Sequence, residues 1–217
     1  MNIRINKRLN KQNIERGISY LKRNGLYETF YKALERLKRD DEEEADYERL
    51  FTQALPSEQE LKAQRMQGFT HRYKISILVP AYETDPEFLI QMLESVIYQT
   101  YDNWELCIAD GSRGEQVKQT VMDVIGKYGD ITGGNRIKYR KLEKNLGISE
   151  NTNAALLMAT GEYIGLLDHD DLLSPDALYE VMSALEAGLY KDGNVYQNRI
   201  CVLYSDEDKI DAAGGRY

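Results

Sequence analysis

The chain has 217 residues, 42% of them hydrophobic, and a formal net charge of −8 at pH 7. This length allows one globular core with an appendage. The acidic balance argues against a nucleic-acid partner, which would call for a basic patch, and no apolar run approaches the roughly 18 residues of a membrane span.

The charge is divided unevenly along the chain. Residues 1–40 contain 11 Lys and Arg against 4 Asp and Glu, a net +7, which leaves −15 for residues 41–217. From Ile14 to Leu37 apolar residues recur at helical spacing, with Lys and Arg on the other face. This basic region has two interpretations: a solvated helix pair that packs on the main domain, or a helix pair that docks on an anionic membrane surface.

Helical patterns continue to about residue 69. Apolar spacing indicates a helix around Tyr47 to Leu55, and Pro56-Ser57 precedes a short helix predicted from Glu58 to Met66. We therefore predict two parts, a helical N-terminal extension over residues 1–69 and a second domain over residues 70–217.

The second domain alternates short apolar strands with amphipathic helices. Asp85 is suited to cap a helix that begins at Pro86, and Ser174-Pro175 starts another. Strands separated by helices favour a parallel sheet with helices on both faces, so the predicted class is α/β, a Rossmann-like, mostly parallel sheet flanked by helices. The predicted strands are Ile75–Val79, Trp104–Ala109, Ile137–Lys141, Tyr163–Leu167 and Ile200–Tyr204.

Polar and acidic residues follow four of these strands, at the edge where parallel sheets bind ligands. Acids gathered on one rim repel one another unless a cation such as Mn²⁺ or Mg²⁺ neutralises them. The four groups are Pro80-Ala81-Tyr82-Glu83, Asp110-Gly111-Ser112, Asp168-His169-Asp170-Asp171 and Ser205-Asp206-Glu207-Asp208.

Glycine-rich phosphate motifs are absent from the sequence. Neither the dinucleotide fingerprint nor the P-loop occurs, so a metal must meet the charge of any bound diphosphate. A sugar-nucleotide pyrophosphorylase is one enzyme class that this type of sheet could serve. The sequence disfavours it, because the loop after the first strand lacks the glycine- and basic-rich character that triphosphate binding needs.

Five sequence blocks follow one another in order along residues 73–217: Ile75–Tyr82, Ser95–Tyr101, Trp104–Ser112, Asn145–Ser149 with Asn153, and Gly161–Asp171. Together they resemble the family 2 inverting glycosyltransferases of GT-A fold, notably those of bacterial surface polysaccharide and O-antigen assembly. The last block resembles the Asp-x-Asp motif of that family.

The resemblance implies transfer of a sugar from a nucleoside diphosphate sugar, with a pyrimidine base, to a surface glycan or lipid-linked glycan. It also implies residue roles. Asp170 is the direct metal ligand and Asp168 lies nearer the ribose while sharing the metal, with Asp171, Asp206 and Asp208 as further candidates. The remaining donor-binding residues are Pro80, Ala81, Tyr82 and Glu83 against base and ribose, Asp110 on the base, and Asn145, Gly147 and Asn153 at the pocket mouth. His169 is a further donor-binding candidate beside the pyrophosphate, with the alternative that its side chain points elsewhere, since hard cations prefer oxygen ligands.

Several of these residues also have a purely structural interpretation. Asp110-Gly111-Ser112 can be a tight turn in which Asp110 accepts backbone hydrogen bonds and Gly111 adopts a positive φ. Asp206 and Asp208 can equally form a solvated turn. Cys107 and Cys201 lie in apolar runs and are interpreted as small buried hydrophobes.

The resemblance places the acceptor-binding half and the carboxylate general base of the family beyond Tyr217, so no catalytic residue is assigned within the chain. The alternative function is a non-catalytic nucleotide-binding fragment or interaction module. The expected location is the cytoplasm, with peripheral contact at the inner face of the plasma membrane.

Overall fold

The computed structural model describes residues 55–132, 135–191, 194–195, 202–205 and 208–210. The chain divides into two compact units, Pro56–Ser205 and a unit made of Met1–Leu55 with Asp206–Tyr217. The helices predicted upstream of Leu55 lie outside the described residues, as do Cys201 and Asp206. No helix among the described residues is long and apolar enough to cross a membrane.

A four-stranded parallel sheet forms the centre of the unit Pro56–Ser205, with strand order β3-β2-β1-β4. Because Ala81 pairs with Asp110 and Asp110 with Lys141, the first three strands end side by side. This sheet confirms the predicted parallel α/β class. The strands are β1 (Ile75–Ala81), β2 (Trp104–Asp110), β3 (Ile137–Lys141) and β4 (Tyr163–Leu166).

Two helices of this unit begin at side-chain caps that the sequence provides. The Ser57 side chain accepts from the Glu60 N–H and the Glu60 carboxylate accepts from the Ser57 N–H, which is a complete capping box. Asp85 caps the next helix, whose first residue is Pro86, as predicted. The described helices are α1 (Glu58–Met66), α2 (Pro86–Ile97), α3 (Gln116–Thr132), α4 (Ile148–Leu156) and α5 (Ala177–Leu189).

The hydrophobic core lies on both faces of the sheet, because side chains alternate along each strand. On one face Ile77 and Val79 join a cluster with residues of α2, α3 and α5. On the other face Leu78 and Cys107 pack with Ala155 of α4. Burial raises the pKa of the Cys107 thiol to about 11, which agrees with its interpretation as a buried hydrophobe.

The predicted fifth strand, Ile200–Tyr204, is wrong for the residues that the structure describes. Val202, Leu203 and Tyr204 are not in a strand, and their side chains are 79%, 41% and 94% exposed. A short apolar run becomes a strand where it can pack against neighbours on a half-buried surface, and these exposed side chains lack that burial. Beyond α5 the two-residue strands β5 (Tyr190–Lys191) and β6 (Asn194–Val195) pair antiparallel.

Candidate functional site

Two loops at the carboxyl edge of the sheet are joined by hydrogen bonds. The Glu83 N–H, after β1, donates to Ser112 Oγ at 2.8 Å, and the Arg113 N–H, after β2, donates to the Glu83 carboxylate at 3.0 Å. Glu83 has a φ of 48°, in the left-handed region that costs a non-glycine residue free energy. Glu83 thus ties the loops together, and its carboxylate is engaged by the backbone of Arg113.

These loops border a cavity of about 410 Å³ at the ends of β2 and β3, which we call the β2–β3 cavity. Its volume lies within the range of small-molecule sites. Three of its lining residues carry a positive charge and one, Glu143, a negative charge, so its wall favours anionic or electron-rich ligands. The lining residues are Tyr82, Gly111, Ser112, Arg113, Lys141, Leu142, Glu143, Lys144 and Asn145.

Asp110 lies behind the wall of this cavity and is fully buried. Its Oδ1 accepts from the Ser112 N–H at 2.8 Å, and its Oδ2 accepts from Tyr139 OH at 2.6 Å and Lys141 Nζ at 3.0 Å. Burial alone would raise the pKa of Asp110, but the hydrogen bonds from Ser112, Tyr139 and Lys141 outweigh it and lower the pKa. Asp110 is therefore a charged carboxylate whose partners are protein groups.

An asparagine pair holds the loop that completes the cavity. Asn145 Oδ1 accepts from the Gly147 N–H and from Asn151 Nδ2, both at 2.9 Å. Gly111 lies against this pair, because a Cβ there would stand 2.9 Å from Asn151 Nδ2. The structural alternative for Gly111, a turn with a positive φ, does not hold, since the positive φ belongs to Gly147, at 91°, and Gly111 is required for close approach.

A second cavity, of about 400 Å³, lies between α4 and the ends of β1 and β4; we call it the α4–β4 cavity. It brings together three residues that the sequence analysis selected, Pro80, Asn153 and Asp168. Apolar side chains make up much of the rest of its wall. These other lining residues are Leu78, Ile148, Ser149, Thr152, Leu166 and Leu167.

The acidic segment after β4 faces solvent. Asp168, Asp170 and Asp171 are exposed, while His169 is half-buried, with Nδ1 3.7 Å from Asp170 Oδ1. Among the described residues no group of three or more His, Cys, Asp or Glu side chains is arranged to hold a metal. Mg²⁺ sites commonly use one or two carboxylates and complete the shell with substrate phosphates and water. Asp168 and Asp170 fit that mode.

Asp206 and Asp208 belong to the other compact unit of the chain. Asp206 lies outside the described residues. Asp208 is exposed, belongs to the other compact unit, and accepts from the Lys209 N–H at 2.8 Å. Their predicted place near a metal stays a prediction.

Sequence reasoning missed three residues that build the site: Tyr139, Lys141 and Asn151. A signal for the first two was present, because residues two apart on a strand share a face. Tyr139 and Lys141 both donate to Asp110, and the strand register sets Lys141 directly opposite it. Asn151 gave no comparable signal, since its role depends on a loop that folds back onto α4.

Known proteins resemble the chain over parts of its length. It is 41% identical over 142 residues to the uncharacterized protein y4gI of Sinorhizobium fredii, covering 65% of this chain and 14% of that protein. It is 27% identical to the O-antigen biosynthesis protein RfbC of Myxococcus xanthus, covering 79% of this chain and 12% of the relative.

A third relative has a more specific name. The chain is 32% identical over 100 residues to the UDP-Glc:alpha-D-GlcNAc-diphosphoundecaprenol beta-1,3-glucosyltransferase WfgD of Escherichia coli, covering 46% of this chain and 36% of that protein. In each comparison the matched region spans well under two thirds of the relative. The model of the family described as glycosyl transferase family 2 matches residues 76–205, more than half of the chain. The chain therefore belongs to glycosyl transferase family 2.

Proposed function

We propose that the chain binds a nucleoside diphosphate sugar and serves the transfer of its sugar to a surface glycan or lipid-linked glycan. The observation that carries the proposal is the placement of two cavities and the exposed segment Asp168–Asp171 at the carboxyl edge of one sheet in a family 2 chain. Two relatives support it by name, RfbC through O-antigen biosynthesis and WfgD through a UDP-glucose donor and a diphosphoundecaprenol-linked acceptor.

The nucleotide would lie across the strand ends. We assign the base and ribose to the β2–β3 cavity, where the exposed part of the Tyr82 ring provides a surface for stacking. The diphosphate and sugar would lie toward Asp168 and the α4–β4 cavity, where Pro80 and Asn153 are lining residues. Strands β3 and β4 are three steps apart in the sheet, or roughly 14 Å at about 4.8 Å per step.

Asp170 and Asp168 are the residues that would hold Mn²⁺ or Mg²⁺, with Asp171 as a further candidate beside them. A bound cation of this kind would supply positive charge that stabilises the departing nucleoside diphosphate. His169, which lies between Asp168 and Asp170 in the sequence and has a side chain 27% exposed, is assigned a place beside the diphosphate.

Transfer with inversion is a single displacement at the anomeric carbon, in which a base takes the proton of the acceptor hydroxyl on the side opposite the leaving group. The role that we assign to this chain is to hold the donor: Tyr82 and Asn145 orient the nucleoside, and Asp168 and Asp170 orient the diphosphate. No described residue is assigned as the base.

Calorimetric titration with UDP, in Mn²⁺ and in EDTA, tests the proposal without requiring turnover. We expect UDP binding that depends on Mn²⁺, and at least a tenfold loss of affinity in Asp170→Asn. Asp123→Asn, an exposed acid on α3, is the matched control and should bind as the wild type does. Equal UDP affinity in Mn²⁺, in EDTA and in Asp170→Asn would refute the assigned metal role.

Turnover of a UDP-sugar panel separates the two remaining functions. Hydrolysis or transfer would support the enzyme, whereas UDP and Mn²⁺ binding without turnover would favour the alternative of a non-catalytic nucleotide-binding module. The family match disfavours the pyrophosphorylase alternative.

A cytoplasmic location with peripheral membrane contact through basic residues 1–40 is a separate proposal, supported by their charge of +7. Removal of residues 1–40 should abolish binding to vesicles that contain anionic lipid. Unchanged binding would contradict membrane contact through this segment.

A further inference from the structure

Asp110 and Lys141 form an ion pair that runs from the protein interior to the β2–β3 cavity. The Asp110 carboxylate is 0% exposed, and the Lys141 side chain, which lines the cavity, is 27% exposed. A ligand that enters this cavity therefore meets the ammonium of Lys141 before the carboxylate of Asp110.

Each of the two groups has about one hydrogen-bonding position left, and the two positions differ in their exposure. A carboxylate offers about four acceptor positions, and Asp110 already accepts from the Ser112 N–H, Tyr139 OH and Lys141 Nζ. An ammonium has three donor hydrogens, and Lys141 gives one to Asp110 and one to the Gly114 carbonyl at 2.5 Å. One hydrogen of Lys141 thus remains, and its side chain lines the cavity, whereas the remaining acceptor position of Asp110 belongs to a fully buried carboxylate.

The position of Lys141 in the sheet indicates which part of a nucleotide it would meet. It ends β3, an edge strand of the sheet, roughly 14 Å from the end of β4 by three strand spacings. If the diphosphate lies near Asp168, the base lies near Lys141 and the ring of Tyr82. Because an ammonium only donates, its partner on the base is an acceptor, a carbonyl oxygen or a ring nitrogen.

We propose that Lys141 contacts the nucleotide base as a hydrogen-bond donor, and that Asp110 is a positioning residue that acts through Lys141. This inference rests on the proposed function, because it requires a nucleotide in the β2–β3 cavity. It differs from the role that the sequence analysis gave to Asp110, which was a direct hydrogen bond to the base.

A double-mutant cycle distinguishes the two roles, because residues that act through one another give non-additive losses. We expect Lys141→Met to weaken UDP binding about tenfold, the scale of a lost hydrogen bond to a charged group. Asp110→Asn should weaken binding in the wild-type background and change it less than twofold in the Lys141→Met background. Equal losses from Asp110→Asn in both backgrounds would show that Asp110 contacts the nucleotide independently.

Uridine, which has no phosphate, tests the site of contact by NMR titration. The loss caused by Lys141→Met should be equal for uridine and UDP if the contact is with the base. A loss restricted to UDP would overturn the inference, because Lys141 would then contact phosphate.

Two control variants distinguish the loss of the Lys141 contact from a general loss of folding. Lys141→Arg keeps a cation beside Asp110 and should retain UDP affinity within about threefold, while Lys118→Met, on an exposed cation of α3, is the matched control. If thermal denaturation shows that Lys141→Met does not fold, Lys141→Gln takes its place in the cycle. If the wild-type chain binds no nucleotide, both the proposed function and this inference are refuted. If UDP binding depends on Mn²⁺ but is unchanged by Lys141→Met, this inference alone is refuted.

Discussion

The Gln99 side chain is hydrogen-bonded to the backbone carbonyl of Ser174, 75 residues away in the sequence, with its Nε2 donating at 2.6 Å. Its Oε1 accepts from the Leu178 N–H at 2.9 Å, and the Leu173 N–H donates to Ser95 Oγ at 3.2 Å. Ser95 in the last turn of α2 and Gln99 just after that helix therefore fix the segment that leads from the acidic residues after β4 into α5.

Replacing Gln99 should destabilise this segment. Gln99→Ala leaves backbone groups of Ser174 and Leu178 without these partners, so we expect the free energy of unfolding to fall by about 2–4 kcal/mol, as measured by urea denaturation. Mn²⁺-dependent UDP affinity should also fall several-fold. Gln91→Ala, at an exposed position of α2, should change stability by no more than about 0.5 kcal/mol. Equal effects at both positions would contradict the anchoring role.

Local and periodic features of this fold could be predicted from the sequence. Helix α2 begins at Pro86 after the Asp85 cap, and strand β3 has its predicted bounds, because caps and short apolar runs act within a few residues. The family is confirmed by the family model, and the parallel α/β class is confirmed by the four-stranded sheet.

Long-range relationships could not be predicted in the same way. Gln99 belongs to a sequence block that indicated the family, yet the block gave no sign that its amide would reach Ser174. The ion pair of Asp110 with Lys141 depends on the register of β2 against β3, which only the folded sheet defines. The exposed run Val202–Tyr204 had the composition of a strand, but burial decides whether such a run is one.

Two neighbouring glycines offer a matched test of the loop beside the β2–β3 cavity. A Cβ on Gly111 would lie 2.9 Å from Asn151 Nδ2 and 3.1 Å from the Cα of Asn145, whereas a Cβ on Gly114 would meet no atom within 4 Å. Gly111→Ala must therefore displace the loop that carries Asn145. We expect UDP affinity to fall at least fivefold in Gly111→Ala and to stay within twofold in Gly114→Ala, measured by calorimetry. Similar affinities in both variants would mean that the loop adjusts without affecting the cavity.

A second pair of glycines separates close packing from helix propensity. A Cβ on Gly161 would lie 2.4 Å from the Lys74 carbonyl oxygen, a backbone atom, so Gly161→Ala should lower the free energy of unfolding by about 1–3 kcal/mol. Gly126 lies within α3, and a Cβ there would meet no neighbouring atom within 4 Å. Because Ala favours the helix more than Gly does, Gly126→Ala should raise the free energy of unfolding by about 0.5–1 kcal/mol. Chemical denaturation of the two variants checks the opposite signs, and a loss of stability in both would contradict this account.

Glu105 is a buried carboxylate at the amino end of the sheet, opposite the candidate site. It is 1% exposed, and Lys74 and Lys138 lie 2.7 and 2.9 Å from its Oε2. Ser76 Oγ and the Thr160 N–H donate to its Oε1 at 2.7 and 2.6 Å. Burial alone would raise the pKa of Glu105, but these four partners outweigh it and hold the pKa well below its ordinary value.

This lowered pKa makes stability depend on pH in a defined direction. The unfolded chain binds the proton with a pKa of about 4.3, so the stabilisation from ionised Glu105 is complete above that pH and is lost as the pH falls toward the folded pKa. Glu105→Gln removes the charge that pairs with Lys74 and Lys138, so at pH 7 the free energy of unfolding should fall by about 2–4 kcal/mol. This loss is smaller than for breaking a wholly buried ion pair, because the two lysines are partly exposed. Below pH 4 the difference from the wild type should shrink by about 1.4 kcal/mol per pH unit.

Urea denaturation at pH 7, 5, 4 and 3 measures this difference in the free energy of unfolding. Glu115→Gln, at an exposed acid paired with Lys118, is the control and should differ little from the wild type at every pH. A difference between Glu105→Gln and the wild type that stays constant from pH 7 to pH 3 would mean that the Glu105 carboxylate is not stabilised in its ionised form.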